Sequence, residues 1–206
     1  MTIDTDDLIN SIMESLDRIK MVSSEDIPNI DLYVDQVTTF MDRNLKPSTR
    51  YKSTDKILTK TMINNYAKND LLPPPVKKKY NREHILVLIF IYYFKNVLSI
   101  NDIQSILNPL TDKYFGKDSF SVKDAYEECV RLGNDQIDSL KNDVKEKYEA
   151  AMKSFDGVKD EEKEFLQTFS FVCLLMFDVY TKKLLIEKII DDYNSKHPMD
   201  DEKSKK

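Results

Sequence analysis

Apolar residues recur along most of this chain at every third or fourth position, which is the spacing of helices that bury one face. From Ile3 to Lys20 such a stripe follows a cluster of aspartates, so we predict an amphipathic helix that needs a partner surface. A connector containing Pro28 comes next. Asp31 can then cap a second helix, whose apolar stripe consists of Tyr33, Val37, Phe40 and Met41.

Three further helices are predicted in the middle of the chain. The first is short, because Thr59 can cap its N-terminus and a run of prolines ends it. Asn81 can cap the next helix, in which Ile85–Phe94 is apolar on all sides. The length of that run favours a buried helix over a strand. Ser99 can cap the third helix, and Pro109 is expected to end it.

The C-terminal half is acidic and helical in pattern. Helical spacing begins behind Ser121, resumes at Ile137 and ends at Gly157. A last helix is predicted from Asp160 to about Asn194, with acids in its first turn as the helix dipole prefers. Its middle is apolar on every face. We therefore expect it to be the central helix of a bundle, or to use part of that surface to close a dimer.

The short helix after Thr59 separates apolar from polar side chains. Its outward face carries hydroxyl, amide and ammonium groups and no acid. Asparagine can pair with the two major-groove atoms of adenine, and lysine binds phosphate or guanine. We interpret this face as one that suits a DNA groove, although surface asparagines are common. Its members are Thr61, Asn64, Asn65 and Lys68.

A basic turn follows this helix. Pro73, Pro74 and Pro75 fix the backbone and remove three N–H donors, so three lysines project from a stiff segment. By default a lysine run is a solvated turn. Its place between a polar helix and a capped helix favours contact with nucleic acid. The lysines are Lys77, Lys78 and Lys79.

The charge distribution also favours contact with nucleic acid. The chain has 206 residues and a net charge of −5. Nine basic and two acidic residues lie between Lys46 and Tyr80, so that segment carries +7 and the remainder −12. An acidic body with one basic segment can bind a polyanion locally and limits indiscriminate binding. Within this segment, Lys46–Leu58 is interpreted either as a loop that contacts phosphate or as a solvated linker.

Composition narrows the remaining classes of protein and of functional site. With 41% hydrophobic residues, no signal peptide and no membrane-spanning run, we expect a folded cytoplasmic protein without a membrane partner. Cys129 and Cys173 are isolated, which indicates neither a zinc site nor a disulfide. Three glycines in all leave no phosphate-cradling loop. We predict no metal, no cofactor and no catalytic residues, because no carboxylate spacing stands out from solvated helix faces.

Several motifs in this region resemble the MerR-type winged helix-turn-helix family. That family ends its recognition helix in a tyrosine before a turn of the Gly-Leu-Leu-Pro kind, and it closes its wing with two basic residues and a tyrosine. The wider pattern resembles a set of uncharacterised bacterial proteins grouped as a domain of unknown function. The resemblance covers about residues 28–110. The matching segments are Ile63–Tyr66, Asp70–Pro73, Lys78–Tyr80 and Leu98–Ile103.

Two positions depart from the family. Asn64 stands where the family usually has an arginine, so the phosphate or base contact of that arginine is not carried over to this chain. Lys46–Leu58 is much longer than the turn of a tight helix-turn-helix.

Together these patterns predict an all-α fold with a minor β wing. The expected parts are an N-terminal amphipathic helix (1–27), a MerR-like winged helix-turn-helix (28–110), a C-terminal helical region (111–196) and a disordered tail (197–206). The C-terminal region would form a homodimer, sense a small-molecule effector, or do both.

The predicted function is sequence-specific binding of double-stranded DNA by a transcriptional regulator that is not an enzyme. The alternative is a non-catalytic adaptor that keeps the winged fold and binds a protein. The predicted DNA-contacting residues are Thr59, Lys60, Thr61, Asn64, Asn65, Lys68, Lys77, Lys78, Lys79 and Arg82.

Overall fold

The chain folds into two units that are interleaved along the sequence. The computed structural model describes residues 5–17, 21–50 and 57–197. The larger unit combines Val22–Val130 with Leu185–Lys206, and the smaller combines Met1–Met21 with Arg131–Leu184. The described secondary structure is helical apart from one two-stranded sheet, which confirms the predicted all-α class.

The helices follow one another as the apolar spacing predicted, with a few shifted boundaries. Short 3₁₀ turns at Ser24–Asp26 and Lys46–Ser48 flank the second helix. The helices are α1 (Thr5–Asp17), α2 (Val34–Leu45), α3 (Lys60–Lys68), α4 (Arg82–Phe94), α5 (Ile100–Tyr114), α6 (Val122–Asp135), α7 (Ile137–Met152) and α8 (Asp160–Lys196). The strands are β1 (Leu32–Tyr33) and β2 (Lys79–Tyr80).

Helix α4 is the centre of the larger unit. Every residue from His84 to Ile91 is buried, so the helix is covered on all sides over two turns. This confirms that the apolar run is a buried helix. Burying each apolar side chain from Ile85 to Ile91 contributes about 1.5–3 kcal/mol.

Side-chain caps fix the starts of three helices, as predicted. The hydroxyl of Thr59 accepts the N–H of Met62 at 3.2 Å, and Asn81 Oδ1 accepts the N–H of His84 at 3.1 Å. The hydroxyl of Ser99 accepts from the N–H of Asp102 at 3.2 Å. Each cap satisfies a backbone donor that the helix itself leaves without a partner.

The start of α2 differs from the prediction. Asp31 does not cap it, because the chain first forms strand β1, in which Leu32 pairs with Tyr80 and Tyr33 with Lys79. The backbone N–H of Tyr33 instead donates to the side-chain oxygen of Gln36 at 2.9 Å. The partner strand lies more than forty residues away along the sequence, so no local signal marked it.

The sequence predicts that Pro109 ends α5, but the helix continues past it. The helix continues through it to Tyr114, and Pro109 itself is exposed. Proline removes one N–H donor from a helix. Nearby, the buried hydroxyl of Thr111 donates to the carbonyl of Leu107 at 3.1 Å and also contacts that of Asn108 at 3.2 Å. This hydroxyl adds one hydrogen-bond donor in the turn that follows the proline.

Two further boundaries differ. Helix α6 continues through Gly133 to Asp135, and α7 ends at Met152 rather than at Gly157. Beyond Met152 the chain reverses where Phe155 adopts a left-handed φ of 59°. The predicted tail lies, apart from His197, outside the described residues.

The smaller unit has its own core. Val144, Tyr148 and Ala151 of α7 pack with Phe171 of α8, and the rings of Tyr148 and Phe171 meet edge to face with centroids 5.4 Å apart. The apolar stripe of α1 covers this cluster, which provides the partner surface that the sequence required. Its members are Ile9, Ile12, Met13 and Leu16.

Helix α8 is not the fully surrounded central helix that the sequence suggested. Among its described side chains Phe171 and Ile190 are buried, whereas Phe165 is 70% and Phe177 69% exposed. The apolar pattern forms the expected helix, but this chain covers only part of its circumference.

His84 joins the start of α4 to the proline turn. Its Nδ1 accepts the N–H of Asn81 at 3.1 Å, and its Nε2 lies 3.4 Å from the carbonyl oxygen of Pro74, to which it can donate. The ring meets Tyr80 and Phe115 edge to face. Burial lowers the pKa of His84, and the nearby carbonyls of Pro74 and Pro73 offset this in part. Burial therefore favours the neutral imidazole at this position.

Replacing Tyr126 by Phe tests a long-range bond of the larger unit. The buried hydroxyl of Tyr126 donates to the carbonyl of Val22 at 2.6 Å. Losing this donor leaves a buried acceptor without a partner, so the free energy of unfolding should fall by about 1–3 kcal/mol in urea denaturation. Tyr180→Phe removes an exposed hydroxyl and serves as the matched control. Equal stability of the two variants would show that the bond contributes nothing.

The pKa of His84 predicts a pH dependence of stability. Because the folded chain holds this pKa below its ordinary value, the unfolded chain binds the proton more readily. Stability from the neutral ring is complete above about pH 6.5 and is lost as the pH falls toward the lowered folded pKa. His84→Gln keeps an acceptor for the cap but does not titrate. Urea denaturation between about pH 5 and 7.5 should show a steeper loss for the wild type; parallel slopes would contradict this role.

Candidate nucleic-acid interface

Helix α3 presents the polar face that the sequence predicted. Ile63 is fully buried and turns the opposite side of the helix inward. The residues of the outward side all lie at the surface, and α3 carries no acidic side chain. We call this set the α3 polar face; it consists of Thr61, Asn64, Asn65 and Lys68, each exposed.

The C-terminal end of α3 is held by backbone bonds and by a side chain from α5. The N–H groups of Leu71 and Leu72 both donate to the carbonyl of Tyr66, at 2.9 and 3.2 Å. The side-chain amide of Gln104 donates to the carbonyl of Asn69 at 2.6 Å. Leu71 and Leu72 are themselves buried. The helix therefore presents its polar face from a fixed position.

The two tyrosines of this region are packing residues. Tyr66 is half-buried and Tyr80 is buried, and burial raises the pKa of each. Both phenols are thus neutral over the ordinary pH range, and Tyr80 also forms a backbone pair in β2. Their surroundings favour packing over base stacking.

The predicted basic turn is a tight hairpin, Val76–Lys79, which we call the lysine hairpin. Val76 and Lys79 exchange both backbone bonds, with N–H to carbonyl distances of 3.1 and 3.0 Å. The two residues between them, Lys77 and Lys78, have φ values of 51° and 63°. Two successive left-handed residues define a type I′ turn, in which Asn-Gly is the favoured pair. Here both positions are lysines, and both side chains are exposed.

The third lysine differs from the other two. Lys79 lies in β2, is half-buried, and places its ammonium 5.3 Å from the centre of the Tyr33 ring. This cation–π contact holds Lys79 against β1. Lys77 and Lys78 are consequently the two lysines that point away from the protein at the tip.

Three other predicted site residues have structural partners. Lys60 forms an ion pair with Asp35 of α2, and both are exposed. Thr59 uses its hydroxyl as the helix cap. Arg82 is half-buried and donates to the carbonyl of Ser24, so its guanidinium points to the N-terminal connector. The sequence did not indicate Tyr33 and Asp35 as neighbours of this surface, because strand pairing and helix packing bring them there.

The basic loop before α3 is anchored at its C-terminal end. Ile57 and Leu58 are buried, and the ammonium of Lys95 donates to the carbonyl of Ile57 at 2.8 Å. Burial lowers the pKa of Lys95. Lys52 and Lys56, which contribute to the predicted phosphate contact, lie outside the described residues.

A shallow groove of about 370 Å³ runs along the outer side of α2 and is open to solvent. Its lining mixes apolar surface with a few polar groups and includes both Asp35 and Arg43. The lining residues are Pro28, Leu32, Asp35, Gln36, Thr39, Phe40 and Arg43.

Two negative findings apply to the part of the chain that the structure describes. Within residues 5–17, 21–50 and 57–197, no group of three or more His, Cys, Asp or Glu side chains is arranged to hold a metal ion. Nor does any helix in those ranges combine the length and the apolar character that crossing a bilayer requires.

Comparison with known proteins gives one family. No curated protein and no solved structure matches the chain. The family described as a domain of unknown function (DUF1836) matches residues 22–129, nearly the same stretch as the main segment of the larger unit, Val22–Val130. The expected likeness to such a family is thereby confirmed, whereas the likeness to the MerR family stays a prediction. This chain belongs to the DUF1836 family, and α2 to α5 with the lysine hairpin lie within its family domain.

Proposed function

We propose that this protein is a cytoplasmic transcriptional regulator that binds double-stranded DNA with a MerR-like winged helix-turn-helix. In this proposal α3 enters the major groove and the lysine hairpin lies on the phosphate backbone. The observation that carries the proposal is the pair of exposed lysines held in left-handed backbone at the tip of the hairpin.

The backbone of the hairpin argues for a role of its side chains. A left-handed residue other than glycine costs roughly 1–2 kcal/mol. Lys77 and Lys78 both adopt this conformation, although asparagine or glycine would relieve it. The tip is exposed, so packing does not require lysine there. Strain of this kind is concentrated at functional sites, and two ammonium groups at a rigid tip suit phosphate.

Helix α3 has the size and chemistry for base contact. A helix is about 10–12 Å across with its side chains, which fits the ~12 Å width of the major groove. The nine residues of α3 extend roughly 13.5 Å along it, at 1.5 Å per residue. Asn64 and Asn65 provide amides for base edges, and Lys68 provides a cation in the last turn. The ion pair between Lys60 and Asp35 leaves Lys68 and the hairpin as the main cations in this proposal.

A protein-interaction module is the second candidate. The carboxylate of Asp35 beside the start of α3 would repel a phosphate backbone at that point, and α8 exposes large apolar side chains that suit a protein partner. In this second proposal the chain keeps the winged fold as a scaffold for binding a protein.

The double variant Lys77→Asn, Lys78→Gly tests the hairpin. Asn-Gly is favourable in a type I′ turn, so the hairpin should persist with unchanged or higher stability. Affinity should fall for all DNA sequences. The slope of log affinity against log salt should decrease by about 1.8, because each lost phosphate contact removes about 0.9. Fluorescence anisotropy with duplex DNA at several salt concentrations measures both quantities.

The matched control for this variant is Lys117→Asn, Lys145→Asn, which makes the same change in charge with exposed residues that do not belong to the proposed surface. It should leave the affinity and the salt slope close to those of the wild type. If the hairpin variant binds with unaltered salt dependence, the lysine hairpin has no role on phosphate.

Asn64→Ala tests sequence readout. The cognate site is first selected from a pool of random-sequence duplexes. The variant should lose about 1–3 kcal/mol on that site and little on unselected DNA. Asn142→Ala on α7, an exposed asparagine of the other unit, is the control. An equal loss on both kinds of DNA would rule out base recognition by Asn64, and a pool without enrichment would contradict sequence-specific binding.

A further inference from the structure

Two asparagines lie on opposite shoulders of the α3 polar face. Thr61 and Lys68 are seven residues apart and fall within about 20° of each other, so they mark the middle of the exposed side. Asn64 lies about 60° to one side of Thr61, and Asn65 lies about 40° to the other. The buried Ile63 lies about 160° from Thr61. The two amides therefore diverge, and on a duplex lying against this face they reach different base pairs.

Both of these amides are available to a ligand. In the part of the chain that the structure describes, neither side chain takes part in a hydrogen bond, and both are exposed. The amides of Asn44 and Asn96 behave differently, since they donate to carbonyls four residues earlier at 2.9 and 3.0 Å. Asn64 and Asn65 have such carbonyls within α3 and do not bond to them. Each amide thus presents two donor hydrogens and one acceptor oxygen to the outside.

The side chains of α3 match adenine and thymine better than guanine and cytosine. In the major groove adenine presents the acceptor N7 beside the donor N6 amino group, so one asparagine amide can bond to both. Guanine presents two acceptors, which suit arginine or lysine, and cytosine presents a donor that suits a carboxylate. Helix α3 contains no arginine and no acid. Thr61 adds a methyl group, which suits the methyl of thymine.

The cations around α3 are placed for other contacts. Lys60 forms its ion pair with α2. Arg82 donates to the N-terminal connector, and Arg43 lines the groove on the outer side of α2. Lys68 lies in the last turn of α3, whereas recognition helices contact base edges mainly through their N-terminal residues. Lys68 is consequently suited to phosphate, and the first two turns of α3 leave guanine without an unpaired cation.

We propose that α3 reads two A·T base pairs, an assignment that rests on the DNA binding proposed above. Asn64 and Asn65 each bond to one adenine. In each contact the side-chain Nδ2–H donates to N7, and Oδ1 accepts from the N6 amino group. The amide selects the base because, opposite guanine, Oδ1 faces the acceptor O6 and one of the two bonds is lost.

Selection of the full chain on random-sequence duplexes identifies the bases that it reads. The wild type should enrich a motif that contains two or more A·T pairs. Asn64→Arg should change one of these pairs to G·C, because arginine bonds to O6 and N7 of guanine. Asn65→Arg should change a different pair. Sequencing of the bound pools measures both changes.

Asn142→Arg on α7 is the control, since it introduces the same side chain at an exposed position of the other unit. It should enrich the wild-type motif. If the positions altered by the two α3 variants are G·C in the wild-type motif, the A·T assignment is overturned while the proposed function stands. A motif that neither α3 variant alters has the same consequence. A pool without any enrichment would contradict sequence-specific binding itself, and the assignment with it.

A base analogue tests the contact at the level of one atom. 7-Deazaadenine lacks the N7 acceptor and still pairs with thymine. At the adenine assigned to Asn64 it should weaken wild-type binding about 5-fold, the effect of one hydrogen bond. Asn64→Ala has already lost this bond and should not respond to the analogue, whereas Asn65→Ala should respond like the wild type. Fluorescence anisotropy with the two duplexes measures the ratio; an equal loss in all three proteins would overturn the contact between Asn64 and N7.

Discussion

Helix α4 has no polar side over its two central turns, and the rest of the larger unit is arranged to cover it. All residues from His84 to Ile91 are buried, so water must be excluded around the whole circumference. At its N-terminus the reciprocal bonds between Asn81 and His84 supply partners for backbone donors. The same histidine reaches Pro74, so the helix and the base of the hairpin are positioned together.

The candidate nucleic-acid interface follows from this arrangement. Ile63 and the Leu71–Leu72 pair use the apolar sides of α3 and of the following turn for the core. What remains outside is the α3 polar face and the tip of the lysine hairpin. A hairpin supported by β1 on one side and by α4 on the other can hold two lysines in left-handed backbone, because the surrounding contacts determine the turn independently of its residues.

Helices α4 and α8 show why an apolar pattern alone does not assign a surface. Both have apolar residues on every side of their central turns. In α4 these residues are buried, whereas α8 buries Phe171 and leaves Phe165, Phe169 and Met176 exposed. The difference lies in the neighbours that each helix finds. Exposed apolar surface of this kind is seldom left uncovered on a single chain.

The sequence by itself determined the helices and most of their starts. Helical spacing and capping side chains act within three or four residues, and Thr59, Asn81 and Ser99 cap as their patterns predicted. The polar character of α3 and the local concentration of lysines were also evident, since they are properties of adjacent residues. Contacts between distant segments were not evident from the sequence. Only the tertiary structure decided that β1 replaces the expected cap at Asp31 and that Arg82 turns to Ser24.

Contacts between distant segments also decide the structure of the hairpin, of α5 and of α8. The left-handed backbone of Lys77 and Lys78 results from a turn that the flanking strands close, although the residues themselves do not favour it. Helix α5 continues through Pro109 although proline removes one donor, and the exposure of α8 depends on which neighbours reach it. Local sequence determines which backbone conformations have a low free energy. Packing over long separations selects among them, because a contact between distant residues changes the balance of free energy that each residue alone would follow.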